Sequence, residues 1–378
     1  MSKKEERIHI YQPALKGKRI GVVFGSFAPL HQGHLDEIMR AKRENDGGCL
    51  VIVCGYDGDK GEPMMPHKKR YRYVREFFAD DELVSVYAIN DTQIGIANYP
   101  NGWEGWLKEF FNIWNVAVSS ESLDAHRVWY VGEQEYKDGL QIRGEDAVLL
   151  DRSENPISAT MIRQNPIKHW DKITNPFKRV FSTNILIAGT ASEGKTTLTM
   201  DLGKYFNAPY SYEWARDYMK ESCVDDTELD GADFMAFLQG QYDLNKRLIN
   251  SQANNGIFFA DSDSLVTRMY AEYYMRDENF QMTEEEFAAV ASMADELTAK
   301  SRWDKIFLLR PHGKFVDDHS RYMGHSEMKE REELFDILCA NMKRCGLWDK
   351  VTIINGNYYE NFITIANYVK EVIQNGKN

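Results

Sequence analysis

The sequence predicts an α/β protein built from two parallel-sheet domains. Apolar, strand-like runs alternate with helical patterns along nearly all of its 378 residues, the signature of parallel α/β construction. That alternation breaks once, at 164–183, where QNPIKHWDKITNPFKRVFST carries two prolines and several cations. A glycine-bearing turn follows an apolar run and opens a helical pattern in each half, at 25–34 and at 189–196.

In the first half the runs at 19–24, 49–54, 83–89, 127–132 and 146–150 read as strands. Trp103, Trp106, Leu107, Phe110, Phe111 and Trp114 recur at helical spacing and read as a core-facing stripe. In the second half, strands are expected at 184–188, 257–261, 304–309 and 350–355. Helices are expected at 197–206, 231–254, 283–300, 327–345 and 358–374. The domain boundary is placed near 175, giving domains 1–175 and 176–378.

Composition narrows the class. The chain is 43% apolar and 12% aromatic, enough for globular cores. A net charge of −12 argues against general binding to nucleic acid or to an anionic membrane surface. Five cysteines without CxxC or CxxH spacing argue against a disulfide framework or structural zinc, and fit a reducing cytoplasm. The opening MSKKEERIHIYQP lacks an apolar signal region, and no run approaches the ~20 residues that cross a bilayer. No membrane insertion is expected, and homo-oligomerisation is left open.

Gly189-Thr190-Ala191-Ser192-Glu193-Gly194-Lys195-Thr196 matches GxxxxGK[ST] between a strand and the helical run beginning at Thr197. Glycines permit a tight loop whose N–H groups surround phosphates, with Lys195 reaching the β- and γ-phosphates of ATP and Thr196 binding Mg²⁺. Ile257-Phe258-Phe259-Ala260-Asp261-Ser262-Asp263 is an apolar strand ending in acids. Asp261 is the first candidate to hold Mg²⁺ or orient a substrate hydroxyl, and Asp263 the second. Glu213, Arg216 and Asp217 form a polar cluster in an aromatic setting, equally readable as an ordinary surface turn. The cation-bearing stretch from Arg310 to Arg321 is either a lid over transferring phosphate or a solvated loop.

In the first half, GxFxPxHxGH is complete through Gly25, Phe27, Pro29, His31, Gly33 and His34, with Ser26 beside them. A second element, Ile157-Ser158-Ala159-Thr160-Met161-Ile162-Arg163, reads ISxTxxR. Ser158 is a candidate helix cap and Arg163 a candidate phosphate contact. A phosphate attacking the α-phosphate of ATP needs two anions held in line and transition-state charge neutralised. His31, His34 and Arg163 with helix N-terminal amides can supply both.

The HxGH and ISxTxxR pair resembles the nucleotidyltransferase superfamily, with its Rossmann-like fold. Followed by a P-loop kinase domain in one chain, it resembles the bifunctional NadR-type family from about residue 18 to 370. YPNGWEGW at 99–106, SYEWARDY at 211–218 and the FADSD strand end belong to that resemblance. It implies phosphorylation of nicotinamide riboside by ATP and adenylyl transfer to the mononucleotide, giving NAD and pyrophosphate. It also implies that Tyr99 and Trp103 enclose nicotinamide. Some family members begin with a helix-turn-helix repressor; the short stretch before the first strand here argues against direct DNA binding. Two alternatives stand at this point: another two-step cofactor synthesis of flavin or coenzyme A type, and a non-catalytic ATP- and NAD-sensing regulator.

Overall fold

The computed structural model describes residues 12–55, 64–151, 153, 156–277, 282–313 and 327–375. The chain divides into two compact units, Met1–Val180 and Phe181–Asn378. The division comes later than residue 175 because the short helix Asn175–Phe181 packs on the first unit. Phe177 is fully buried against Tyr73, at 5.3 Å between ring centroids, and Arg179 pairs with Glu76.

The first unit runs β1 (Arg19–Gly25), α1 (Gln32–Glu44), β2 (Cys49–Cys54), α2 (His67–Phe77), β3 (Val84–Ile89) and α3 (Trp103–Ala117). It continues with β4 (His126–Val131), α4 (Gln134–Gln141), β5 (Asp146–Leu149), α5 (Ala159–Gln164) and α6 (Asn175–Phe181). Its sheet has order β3-β2-β1-β4-β5 and every pairing is parallel. The chain steps outward from β1 on one side, then returns to β4 on the other. That reversal leaves a crevice at the carboxyl end of β1, where open α/β sheets take their ligands.

β2 reads CLVIVC and is buried throughout, as a strand covered on both faces must be. Over the sheet, α3 lays Trp106, Phe110 and Trp114, with the Phe110 ring 4.4 Å from that of Trp129. Such side chains bring roughly 1.5–3 kcal/mol each when fully buried. Phe111 departs from the expected stripe: it is 36% exposed and receives the Arg127 guanidinium at 5.0 Å. A helix face of this width has no room for it beside Phe110.

The second unit runs β6 (Thr183–Gly189), α7 (Lys195–Phe206), β7 (Tyr210–Ser211), α8 (Trp214–Ser222), α9 (Gly231–Ile249) and β8 (Ile257–Asp261). It continues with α10 (Ser264–Arg276), α11 (Glu284–Lys300), β9 (Lys305–Leu309), α12 (Met328–Arg344), β10 (Val351–Ile354) and α13 (Tyr358–Asn375). The sheet order is β10-β9-β6-β8-β7, again parallel throughout.

Three features of this unit differ from expectation or were not foreseen. Helix α9 ends at Ile249 rather than 254, because Asn254 folds back and donates to the Ile249 carbonyl at 2.7 Å. β7 has two residues, too short for a periodic signal. α10 buries Leu265, Val266, Met269, Ala271 and Tyr274, so its apolar residues are not confined to one stripe.

Between β4 and β5, Glu145 accepts from Nε and Nη2 of Arg127, at 3.0 and 2.9 Å, and from the Trp129 indole at 2.7 Å. Burial pushes its carboxyl up, but these donors outweigh burial and hold it below the usual 4.5. Its stabilisation is therefore full above about pH 4.5 and is lost as pH falls through the lowered folded value. Glu145→Gln is expected to cost about 1–3 kcal/mol at pH 7 in urea unfolding. The gap between wild type and variant should close as the titration is repeated from pH 5 down to pH 3; a gap constant with pH would refute the assignment.

Candidate functional sites

In the first unit, β1 ends at Gly25 and the chain turns through Ser26 and Phe27. Phe27 is fully buried with φ +47°, so the turn is strained as well as tight. Arg70 of α2, itself buried, donates to the Ser26 carbonyl and, at 2.8 Å, to that of Cys54. Thr174 donates its hydroxyl to the Leu30 carbonyl at 3.1 Å. The turn is thus pinned on two sides before α1 begins.

His31 stands at the N-cap of α1, and its carbonyl accepts from the His34 and Leu35 amides at 2.9 and 3.1 Å. The two imidazoles stack with centroids 3.8 Å apart, and Phe27 meets His34 edge-on at 5.0 Å. A side chain at position 33 would lie 3.2 Å from the His31 ring and 3.3 Å from Ile157. Glycine therefore lets the two sequence elements close on each other. A cavity of about 270 Å³ opens there, lined among others by His31, His34, Arg40, Asp151 and Ser158.

Ser158 caps α5, accepting from the Met161 amide at 3.2 Å. Arg163 was expected to reach phosphate. It instead donates to the Ala28 carbonyl at 2.6 Å and to Thr160 Oγ1 at 3.1 Å, and does not line the cavity. Trp103 is buried in the core cluster beside Phe24, Trp106 and Tyr136, because its helix face is the one turned to the sheet. Tyr99 is 48% exposed and packs on Tyr136 at 5.0 Å. Neither ring lines the cavity. Arg70 and Arg40 were missed by the sequence reading. Arg40 had a signal, since His34, Glu37 and Arg40 recur at three-residue spacing on one helix; Arg70 had none.

In the second unit the phosphate-loop motif joins β6 to α7. Gly189 has φ +149°, and a Cβ there would stand 2.8 Å from the Leu309 carbonyl. Gly194, at the N-cap of α7, has φ +76°, and Ser192 has φ +62°. Thr190 and Ala191 are buried, while Thr196 and Thr197 are exposed on the first turn of α7. Lys195 donates to the Thr190 carbonyl at 2.7 Å. Glu193 turns its carboxylate into the protein, towards Arg331 and His312.

β8 delivers Asp261 opposite Ile187 of β6. Its Oδ2 accepts from the Thr196 hydroxyl, and its Oδ1 is buried with no hydrogen-bond partner among the described residues. Burial and the nearby Glu213 push this carboxyl up, with Lys195, Thr196 and Arg216 opposing. Asp263 lies on the other side of Ser262, whose φ of +105° reverses the chain. Its Oδ1 accepts from Leu265 and Val266, at 3.0 and 3.2 Å, capping α10; Oδ2 accepts from the Trp303 indole at 2.9 Å. Burial pushes it up to about 6.

Glu213 precedes α8 and pairs with Arg216 at 2.9 Å. Both line a small cavity of about 60 Å³, with Phe237, Gln241, Tyr270 and Tyr274. Asp217 is exposed, pushes the Tyr212 hydroxyl's pKa up through a hydrogen bond, and does not line it. Asp226, also unforeseen, lines the cavity and accepts from the Tyr274 hydroxyl at 3.1 Å. Arg321 lies outside the described residues.

Residues 22–165 match the cytidylyltransferase-like family, and residues 184–361 match the AAA domain family. The trifunctional NAD biosynthesis/regulator proteins NadR of Salmonella typhimurium and Escherichia coli are each 27% identical, over 94% of this chain and 84% of theirs. A crystal structure of NadR protein in complex with NR is 35% identical, with TM-score 0.82. Another in complex with NAD and AMP-PNP is also 35% identical, with TM-score 0.80. Each comparison covers 97% of this chain and 99% of the other.

The capping role of Asp263 is open to test. Asp263→Ala removes the acceptor of two backbone amides and of the Trp303 indole, and is expected to cost about 1–3 kcal/mol. Urea unfolding of the full chain reads this, and an unchanged midpoint for the second unit would rule the cap out.

Proposed function

The chain belongs to the NadR family, and from that membership we infer that it is a bifunctional enzyme of NAD synthesis. It phosphorylates nicotinamide riboside with ATP and transfers an adenylyl group from ATP to the resulting mononucleotide, releasing pyrophosphate. The observation that carries this is the likeness to NadR structures over 97% of the chain, taken together with the two phosphate motifs it spans. A cytoplasmic location belongs to the same proposal, supported by five cysteines that lack the spacing of a disulfide framework or zinc site.

We assign adenylyl transfer to the first unit. The mononucleotide phosphate attacks the α-phosphorus as pyrophosphate leaves, so the enzyme must align two anions and neutralise charge. His31 and His34 at the N-terminus of α1 suit that task, where backbone amides and the helix dipole also favour anions. The turn through Gly25, Ser26 and Phe27 sets their position. Ser158 lines the same cavity, and we assign Thr160 to the same ATP site together with Arg163, which would serve it by turning away from the Ala28 carbonyl.

Riboside phosphorylation we assign to the second unit. The loop amides from Gly189 to Thr197 cradle phosphate, and Lys195 is the cation that follows it. Mg²⁺ fits the donor set: Thr196 supplies a hydroxyl, and Asp261 a buried oxygen that lacks a protein partner among the described residues. When bound it neutralises charge on the phosphate oxygens. Asp261 is preferred over Asp263 because the latter's oxygens are already committed to α10 and Trp303. Glu213 and Arg216, in the cavity beside Ser262, are the substrate-side residues.

The two activities should separate by mutation. Lys195→Ala should abolish riboside phosphorylation while sparing adenylyl transfer to supplied mononucleotide. His34→Ala should do the reverse, lowering transferase turnover by roughly two to three powers of ten. Product analysis by mass for both reactions checks this, and equal loss of both in either folded variant contradicts two independent sites.

Asp261→Asn is nearly isosteric and should fold, with kinase turnover falling at least about a hundredfold. Full kinase activity in that variant would move the role elsewhere.

A further inference from the structure

Glu193 is an anion built into a loop whose task is to bind anions. It sits between Ser192 and Gly194, both left-handed, and directly before Lys195. An unrestrained carboxylate here would compete with ATP for the loop amides and repel its phosphates. In the structure it is fully turned away. The Glu193 side chain is 0% exposed, with Oε1 taken by Arg331 and Oε2 by His312 Nδ1 at 2.9 Å. The His312 amide approaches both oxygens, at 3.4 and 3.3 Å.

Arg331 comes from α12 and is itself only 1% exposed. Besides Glu193 it donates to the carbonyls of Gly313 at 3.2 Å and His312 at 3.3 Å. One guanidinium therefore ties the phosphate loop to the chain that leaves β9. Burying two charges is costly unless each satisfies the other, and a buried pair often adds little net stability. Removal of one partner, by contrast, leaves a buried charge that must escape. For Glu193 the nearby escape is back towards the loop.

Resting on the kinase reading above, we propose that Arg331 is a positioning residue for ATP: it sequesters the Glu193 carboxylate from the phosphate site and so keeps the loop receptive to anions. Nothing in this requires Arg331 to touch the nucleotide. Its distinctive consequence is that the harm done by losing Arg331 comes from Glu193 and is relieved by neutralising it. A purely structural pair would also regain stability when Glu193 is neutralised, so the distinguishing readout is KM for MgATP at temperatures where every variant is folded, with KM for the riboside unchanged.

The experiment is steady-state riboside phosphorylation by the full-length protein with MgATP and nicotinamide riboside varied separately. Arg331→Met should raise KM for MgATP roughly ten- to hundredfold, the scale of breaking a buried charge pair. KM for the riboside and adenylyl transfer should change little. Glu193→Gln added to Arg331→Met should recover most of the lost ATP affinity, although the ion pair is still absent. An unchanged KM for MgATP in Arg331→Met, or a double variant as weak as the single, overturns the proposal. If thermal melting shows Arg331→Met unfolded, Arg331→Lys with and without Glu193→Gln makes the same comparison, and a further rise in KM on adding Glu193→Gln overturns it. A wild-type chain unable to phosphorylate the riboside would instead refute the kinase reading itself.

Discussion

A polypeptide that binds phosphate through its backbone must stop a strand, turn sharply and start a helix while leaving its first amides unbonded. Both units of this chain obey that constraint at the central part of their sheets. β1 passes through a strained Phe27 and the stacked His31 and His34 into α1. β6 passes through Gly189, Ser192 and Gly194 into α7. The parallel topology follows from the same need, because only parallel strands bring the carboxyl ends of neighbours to one edge.

Once that edge is made, charge management decides what each neighbouring side chain does. Asp261 and Asp263 show the principle within three residues. One carboxylate faces the phosphate loop and bonds Thr196; the other is consumed by two helix amides and an indole. Both are pushed upward by burial, yet only Asp261 retains a buried oxygen without a hydrogen-bond partner among the described residues. A shifted carboxyl by itself therefore does not distinguish a ligand-facing acid from a capping one. Hydrogen-bond partners do.

The cations of both sites share one habit. Lys195 is folded onto the Thr190 carbonyl, at the heart of the loop it would serve. Arg70, Arg163 and Arg331 likewise grip backbone carbonyls of site loops. A guanidinium has five donors in a fixed fork, so one side chain can fasten several turns of chain at once. In this molecule arginine serves the geometry of the sites at least as much as their charge.

The sequence by itself determined the α/β class, the succession of two sheets and the position of both phosphate turns. Each of these is written in local periodicity or in residues adjacent along the chain, such as Gly194-Lys195-Thr196 and His31-Gln32-Gly33-His34. It also delivered two acids to the end of one strand and ranked Asp261 before Asp263. Tertiary structure set their different surroundings, through the reversal at Ser262 and the arrival of Trp303 from 40 residues away. It likewise turned Arg163 onto Ala28 and brought Arg331 to Glu193 across 138 residues. The physical reason is common to all three: periodicity reports which face of an element is apolar, whereas sheet order decides what that face meets.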